Sequence, residues 1–158
     1  MATVTPKSPD ESTISLQRLM MPEHSNGLGQ VHGGLIMKLV DEAGAIAAMR
    51  HSQRACVTVA MDSMVFHSPV RVGQLLSCQA RVTYVGRSSI EVSVTVHAEA
   101  IVTASTTHTN SAHLVYVAID DEGRPAEVPP LRLDTDSDRD AFEAGRQRQR
   151  ERLHRIRR

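Results

Sequence analysis

A chain of 158 residues, 41% apolar and 23% charged, is sized for one globular domain with a real core and is too short for two ordinary ones. It holds no run of eighteen apolar residues and no apolar stretch behind its N-terminus, so neither a spanning helix nor a secretory signal is expected. Eighteen Lys and Arg balance eighteen Asp and Glu, two cysteines are too few for a disulfide scaffold, and two Phe, two Tyr and no Trp offer little for stacking nucleic-acid bases.

Residues 1–12 are polar, with Pro6 and Pro9, and read as a flexible N-terminal arm. Thr13–Met20 alternates as a first strand, and Pro22 to Gly29 is turn chemistry throughout. Leu35–Met49, LIMKLVDEAGAIAAM, has only Lys38, Asp41 and Glu42 charged. Being apolar nearly all round, it predicts a helix buried on most sides. Four strand-like runs follow: Ala55–Phe66, with Val57, Val59 and Met61 on one face; Leu76 to Tyr84; Ile90 toward Val102; and Ala112–Ile119. Pro129-Pro130 closes a single domain over 13–130. The remainder, 131–158, is an Arg-rich C-terminal helical tail with Phe142, Leu153 and Ile156 as its few apolar anchors. From residue 138 onward it has eight Arg against four acidic residues, so a basic tail hangs on a mildly acidic body. The plain reading is a solvated helix end; such a tail can also hold phosphates or an acidic partner.

This order predicts an α+β fold, a long central helix wrapped by a curved antiparallel sheet of five to six strands running as a meander. One sheet covers a helix on one side only and leaves its edge strands unpaired, so a homo-oligomer is expected. Cys56 and Cys78 lie inside strand-like runs and suit a reducing compartment.

Among the chemistry-bearing residues, Asp41 stands about two turns into the most apolar helix, where burying a carboxylate is costly without a partner. It is either paired with an arginine or capping a loop, or it is a base or nucleophile held where water is scarce. Glu42 points about a hundred degrees away and forms no dyad with it. Gly33-Gly34 opens the same helix; it is a tight turn, or a place where open N–H groups and the helix dipole meet a developing oxyanion. By helix rise the two signals lie roughly 10 Å apart. Asn26 is a turn former or a holder of a carbonyl or water, and His32 a locally bonded ring or a base. Gly86-Arg87-Ser88-Ser89 is a polar hairpin or a phosphate cradle, and it is no P-loop. The eight histidines show no metal-site spacing, so no metal is expected.

The run from Asn26 to Ala43, NGLGQVHGGLIMKLVDEA, closely resembles the signature of hotdog-fold acyl-CoA thioesterases, more narrowly the cytosolic acyl-CoA hydrolases. The resemblance continues through Val57-Thr58-Val59, Met64-Val65-Phe66, Pro69 to Gly73 and Val82 to Val92, and covers roughly residues 13–130. It implies a hotdog fold and a cytoplasmic enzyme that hydrolyses fatty acyl-CoA to free acid and CoA, with no cofactor beyond the coenzyme A of substrate and product. Asp41 would be general base or nucleophile. Asn26 would position water or carbonyl, one residue from each subunit of a homodimer, with dimers assembled as a trimer of dimers. Gly34 or Gly33 would supply an oxyanion N–H, and His32, Val59 and Met61 would line the substrate. Gly86, Arg87, Ser88 and Ser89 would meet the CoA nucleotide.

Two rivals remain at this stage. A hotdog hydratase acting on enoyl or hydroxyacyl thioesters needs a catalytic His with an acidic partner, and His32 has none obvious in sequence. A non-catalytic acyl-CoA-binding regulator would need a DNA-binding part, and neither the arm nor the tail accommodates a helix-turn-helix. Nothing in the sequence sets a chain-length preference, although Met37, Val59, Met61 and Met64 are candidates to end an acyl tunnel.

Overall fold

The computed structural model describes residues 4–62 and 64–157. Strand β1 (Ile14–Leu19) is followed by helix α1 (Gly33–Ser52), strands β2 (Ala55–Met61), β3 (Leu75–Val85), β4 (Ser89–Ala100) and β5 (Ser105–Ile119), and helix α2 (Asp136–Ile156). All strand pairs are antiparallel, and the sheet runs β1-β3-β4-β5-β2. This is the hotdog arrangement: five strands curled over one long helix.

Period-2 alternation does the wrapping. Ile90, Val92, Val94 and Val96 of β4 and Leu76, Cys78, Ala80 and Val82 of β3 are buried, in one core with Ile36, Leu39, Val40, Ala43 and Ala47 of α1. The helix ends because Gln53 turns left-handed at φ 54° and donates its N–H to Met49 O. The sheet covers only one side of α1: Met37 and Met49 remain 41% and 40% exposed. A helix expected to be buried on most sides is thus half wrapped within one chain.

Several expectations need correction. β2 and β3 are not neighbours, so the sheet is not a simple meander; β2 joins the free side of β5 and lies at an edge. β2 stops at Met61 rather than Phe66. β5 begins at Ser105, well before Ala112, because its polar first half still pairs with β4 through the backbone, which is indifferent to side-chain polarity. Val57, Val59 and Met61 do not share a face. The register slips between Thr58 and Ala60, leaving Val59 as the extra residue of a bulge. Directly paired residues share a face, and Cys56, Thr58 and Met61 pair with Ala118, Tyr116 and Leu114, which are fully buried beneath α1.

The termini are also tied down. Lys7 donates its N–H to Pro130 O and accepts from Arg132 N, and Ser8 and Ser12 are buried, so residues 7–12 form no loose arm. α2 lies on the far face of the sheet. Of its expected anchors, Phe142 packs on Tyr84 with ring centroids 5.0 Å apart, but Leu153 and Ile156 are 46% and 80% exposed. The helix is fixed instead by Gly145, where a Cβ would stand 2.6 Å from Tyr84 Cβ, and by Arg148 and Arg152.

Candidate active site

The geometry begins at Asp41, on the side of α1 that faces the β2–β5 edge. Thr58 of β2 and Tyr116 of β5 are directly paired, so both present hydroxyls to the helix at one level. Thr58 Oγ1 donates to Asp41 Oδ1 at 2.8 Å, and the Tyr116 hydroxyl lies 3.1 Å from the same oxygen and 2.9 Å from the Asp41 carbonyl. Oδ2 accepts no hydrogen bond, and no cation pairs with Asp41, among the described residues. Asp41 is half-buried, while Glu42 points to solvent and makes a loose ion pair with Lys38 at 3.8 Å. The arginine-paired alternative for Asp41 is therefore not what the fold builds. Burial and the Asp41 charge push the Tyr116 phenol well above its ordinary value, so it stays a donor.

A second constellation stands at the start of α1. His32 is the N-cap without a side-chain cap, its carbonyl accepting from Leu35 and Ile36. Gly33 and Gly34 have no acceptor for their N–H groups among the described residues, as first-turn amides of an uncapped helix do not. Phe66 lies over Gly33, its ring 3.5 Å from where a Cβ would be. The cleft here is lined by Asn26, Gln30, Gly33, Ile36 and Phe66. Asn26 is a turn former, though not a left-handed one: its Oδ1 accepts from the N–H groups of Leu28 (2.9 Å) and Gln30 (3.3 Å), leaving Nδ2 without a partner among the described residues. The His32 ring is exposed and likewise unpaired, so the acidic partner a hydratase reading needs is absent from its described surroundings.

Among the described residues no hydrogen bond and no shared cleft joins Asn26 to Asp41 within one chain. From Gly34 to Asp41 is seven residues of helix, about 10 Å of rise. What the fold joins is Asn26 with Gly33, and Asp41 with Thr58 and Tyr116. Thr58 and Tyr116 were missed in the sequence: a Thr and a Tyr in strands carry no local mark, and only strand pairing puts them on the helix.

Gly86 to Ser89 form the tight β3–β4 hairpin, closed by Gly86 N–H to Ser89 O at 2.9 Å. Ser88 O accepts from Ala118 N and Arg87 O from Val128 N, and the Arg87 side chain is exposed. Ser89 pairs with Val117, next to Tyr116, so the hairpin caps the same end of the sheet as Asp41. Val59 is 54% exposed at its bulge, whereas Met61 packs against the core. Among the described residues no group of three or more His, Cys, Asp or Glu is placed to hold a metal ion. Neither cysteine suits nucleophilic work: burial raises Cys56 and pushes Cys78 up to about 12.

Residues 28–105 match the family model of the thioesterase superfamily. The chain is 38% identical over 117 residues to an uncharacterized acyl-CoA thioester hydrolase of Zymomonas mobilis, covering 74% of this chain and 78% of that one. It belongs to the thioesterase superfamily. It is also 35% identical over 145 residues to the cytosolic acyl coenzyme A thioester hydrolase of Rattus norvegicus, covering 90% of this chain. There the chain spans 38% of its relative's length. Among solved structures, an acyl-CoA hydrolase from Staphylococcus aureus, in complex with butyryl coenzyme A and coenzyme A, superposes with a TM-score of 0.85 at 33% identity, covering 95% of this chain and 92% of that one. Aspartate-to-alanine, threonine-to-alanine and asparagine-to-alanine variants of that enzyme have also been solved. A hexameric acyl-CoA thioesterase superposes at a TM-score of 0.91 with 33% identity, covering 97% and 98% of the two chains. No helix among the described residues is long and apolar enough to cross a membrane.

Proposed function

We propose that this thioesterase-family chain hydrolyses acyl-CoA thioesters to free acid and CoA, and that two copies build each site. The observation that carries the reading is the half-buried carboxylate of Asp41, held through one oxygen by neutral hydroxyls, with the other oxygen unengaged among the described residues. In the Staphylococcus aureus enzyme, the aspartate, threonine and asparagine chosen for replacement stand at the same sequence spacings as Asp41, Thr58 and Asn26 here, which supports the assignment.

In this reading Asp41 Oδ2 takes a proton from water as the water oxygen bonds to the thioester carbon. The carbonyl electrons move onto oxygen, which faces the free N–H groups of Gly33 or Gly34 and the positive end of α1. Collapse breaks the C–S bond, and the departing thiolate takes the proton back from Asp41. The thioester is already activated, so the reaction asks for no cofactor. Asn26 Nδ2 holds the carbonyl or the water.

The roughly 10 Å between Gly34 and Asp41 is the reason for a second copy: the helix start and Asn26 of one chain serve the Asp41 of another. The edge strand β2 and the exposed Met37, Val57 and Val59 are the surface for that homodimer. Assembly of three dimers is the finer proposal, supported by the hexameric relative. Arg87 and Ser88 at the hairpin meet the CoA phosphates, residues 13–130 are the catalytic unit, and the rat relative's description supports a cytosolic location.

The test is thiol release from an acyl-CoA chain-length series, combined with subunit complementation. Asp41→Ala and Asn26→Ala are each expected to be nearly inactive alone. Mixed by co-refolding, they should recover up to about a quarter of parental activity, because half the dimers are mixed and each carries one intact site. No recovery on mixing would show that the two residues act within one chain, and absence of thiol release from the parental protein would end the enzymatic reading.

A further inference from the structure

We infer that Tyr116 is a positioning residue for Asp41 and that Gly44 exists to admit it. The inference rests on Asp41 acting as the base. Tyr116 is fully buried near the C-terminal end of β5, and its hydroxyl reaches the α1 backbone, 2.9 Å from Asp41 O and 3.1 Å from Asp41 Oδ1. A phenol has one proton to give. The carbonyl belongs to a residue inside the hydrogen-bonded ladder of α1, whereas the carboxylate is a charged acceptor with a stronger claim.

Gly44 makes this approach possible. A Cβ there would stand 2.3 Å from the Tyr116 oxygen and 3.0 Å from Cζ. Any side chain at this position expels the hydroxyl. Glycine inside a helix costs about 1 kcal/mol against alanine, and α1 is otherwise rich in alanine around it, with Ala43, Ala45, Ala47 and Ala48. The cost is accepted at the position one turn beyond Asp41 where a helix must open to a strand's phenol.

Tyr116 and Thr58 are cross-strand partners, so their two hydroxyls come to Oδ1 from adjacent strands at one level. Pinning Oδ1 fixes the rotation of the carboxylate and sets which oxygen is left for water. Among the described residues, the other ionisable groups beside the pair are Cys56 on β2, next to Tyr116, and Lys38 and Glu42, flanking Asp41 on α1; the thiol is raised by burial, and Lys38 and Glu42 are paired with each other in solvent. None of them competes for Oδ1.

Tyr116→Phe keeps the ring and removes only the donor. The expected result is a fall in kcat of about tenfold with KM within about twofold. Gly44→Ala should cost activity in the parental protein and much less in the Tyr116→Phe background; equal costs in both would remove Gly44 from the device. An unchanged kcat in Tyr116→Phe, or a change confined to KM, overturns the inference. If Asp41→Asn itself retains the parental rate, the base assignment has failed, and that outcome is separable from an inactive Asp41→Asn beside a fully active Tyr116→Phe, which sinks only the role of Tyr116.

Discussion

Asp41 and Glu91 are two carboxylates placed within one residue of the same row across the sheet, on opposite faces. Ile90 pairs with Tyr116, which touches Asp41; Glu91 is the next residue along β4 and points the other way, under α2. Glu91 is 1% exposed and fully engaged: Oε1 accepts from Thr83 Oγ1 at 2.7 Å and Arg148 Nη2 at 2.8 Å, and Oε2 from Arg148 Nε at 3.1 Å and Arg152 Nη2 at 2.5 Å. Arg152 extends the network to Asp62. Burial works against ionisation of Glu91, but the hydrogen bonds from Arg148, Thr83 and Arg152 outweigh it and hold the carboxyl at about 2. Asp41 has two neutral hydroxyls on one oxygen and, among the described residues, nothing on the other. The partner type separates the roles. Paired arginines use up the lone pairs and make a rivet; hydroxyls fix the orientation and leave a lone pair for chemistry.

The sharpest way to break this comparison is to remove each charge in turn. Asp41→Asn is expected to lower kcat by about 10³-fold with the thermal midpoint nearly unchanged; a large loss of stability instead would make Asp41 a structural residue. Glu91→Ala should do the reverse, costing about 3–5 kcal/mol by urea denaturation because two arginines are left facing an emptied site. Equal stability of Glu91→Ala and the parental protein would dismiss the rivet.

Acid titration sharpens the same contrast. Because the folded-state value of Glu91, about 2, lies below the ordinary 4.5, its contribution to stability is complete above that ordinary value and is lost as pH falls from there toward 2. The urea midpoint should therefore drop steeply over this range in the parental protein and more gently in Glu91→Gln, with coincident slopes counting against the network. The smallest effect concerns the hairpin near both carboxylates. Arg87→Ala should raise KM for acyl-CoA by roughly three- to tenfold and have less effect on substrates lacking the 3′-phosphate; the same change for both substrates would show that Arg87 does not read that phosphate.

Much of the fold was legible because it depends on short-range pattern. The apolar run from Leu35, the alternation of β3 and β4 and the breaks at Gly86 and Pro129 each report local periodicity, and the structure keeps them. Asp41, Asn26 and the Gly33-Gly34 pair stood out because a charge in an apolar helix and glycines at its start are local anomalies. Illegible were features that depend on pairing. The bulge at Val59 moved Met61 to the helix face, and the polar stretch from Ser105 became strand by completing a backbone ladder. Leu153 and Ile156 looked like anchors from hydropathy alone, whereas α2 docks through Gly145 and two arginines whose acceptor lies in β4.

The amino-acid order by itself determined one long helix, the strands that wrap it, and a carboxylate embedded two turns along that helix, since each follows from the spacing of neighbours in the chain. Only the tertiary structure decided which hydroxyls reach that carboxylate, which glycine lets them in, and which second carboxylate is locked away by the tail. Those contacts join residues 17 and 75 positions apart at Asp41 and 57 and 61 apart at Glu91, and separations of that size are set by strand register and helix docking rather than by anything a local stretch of sequence encodes.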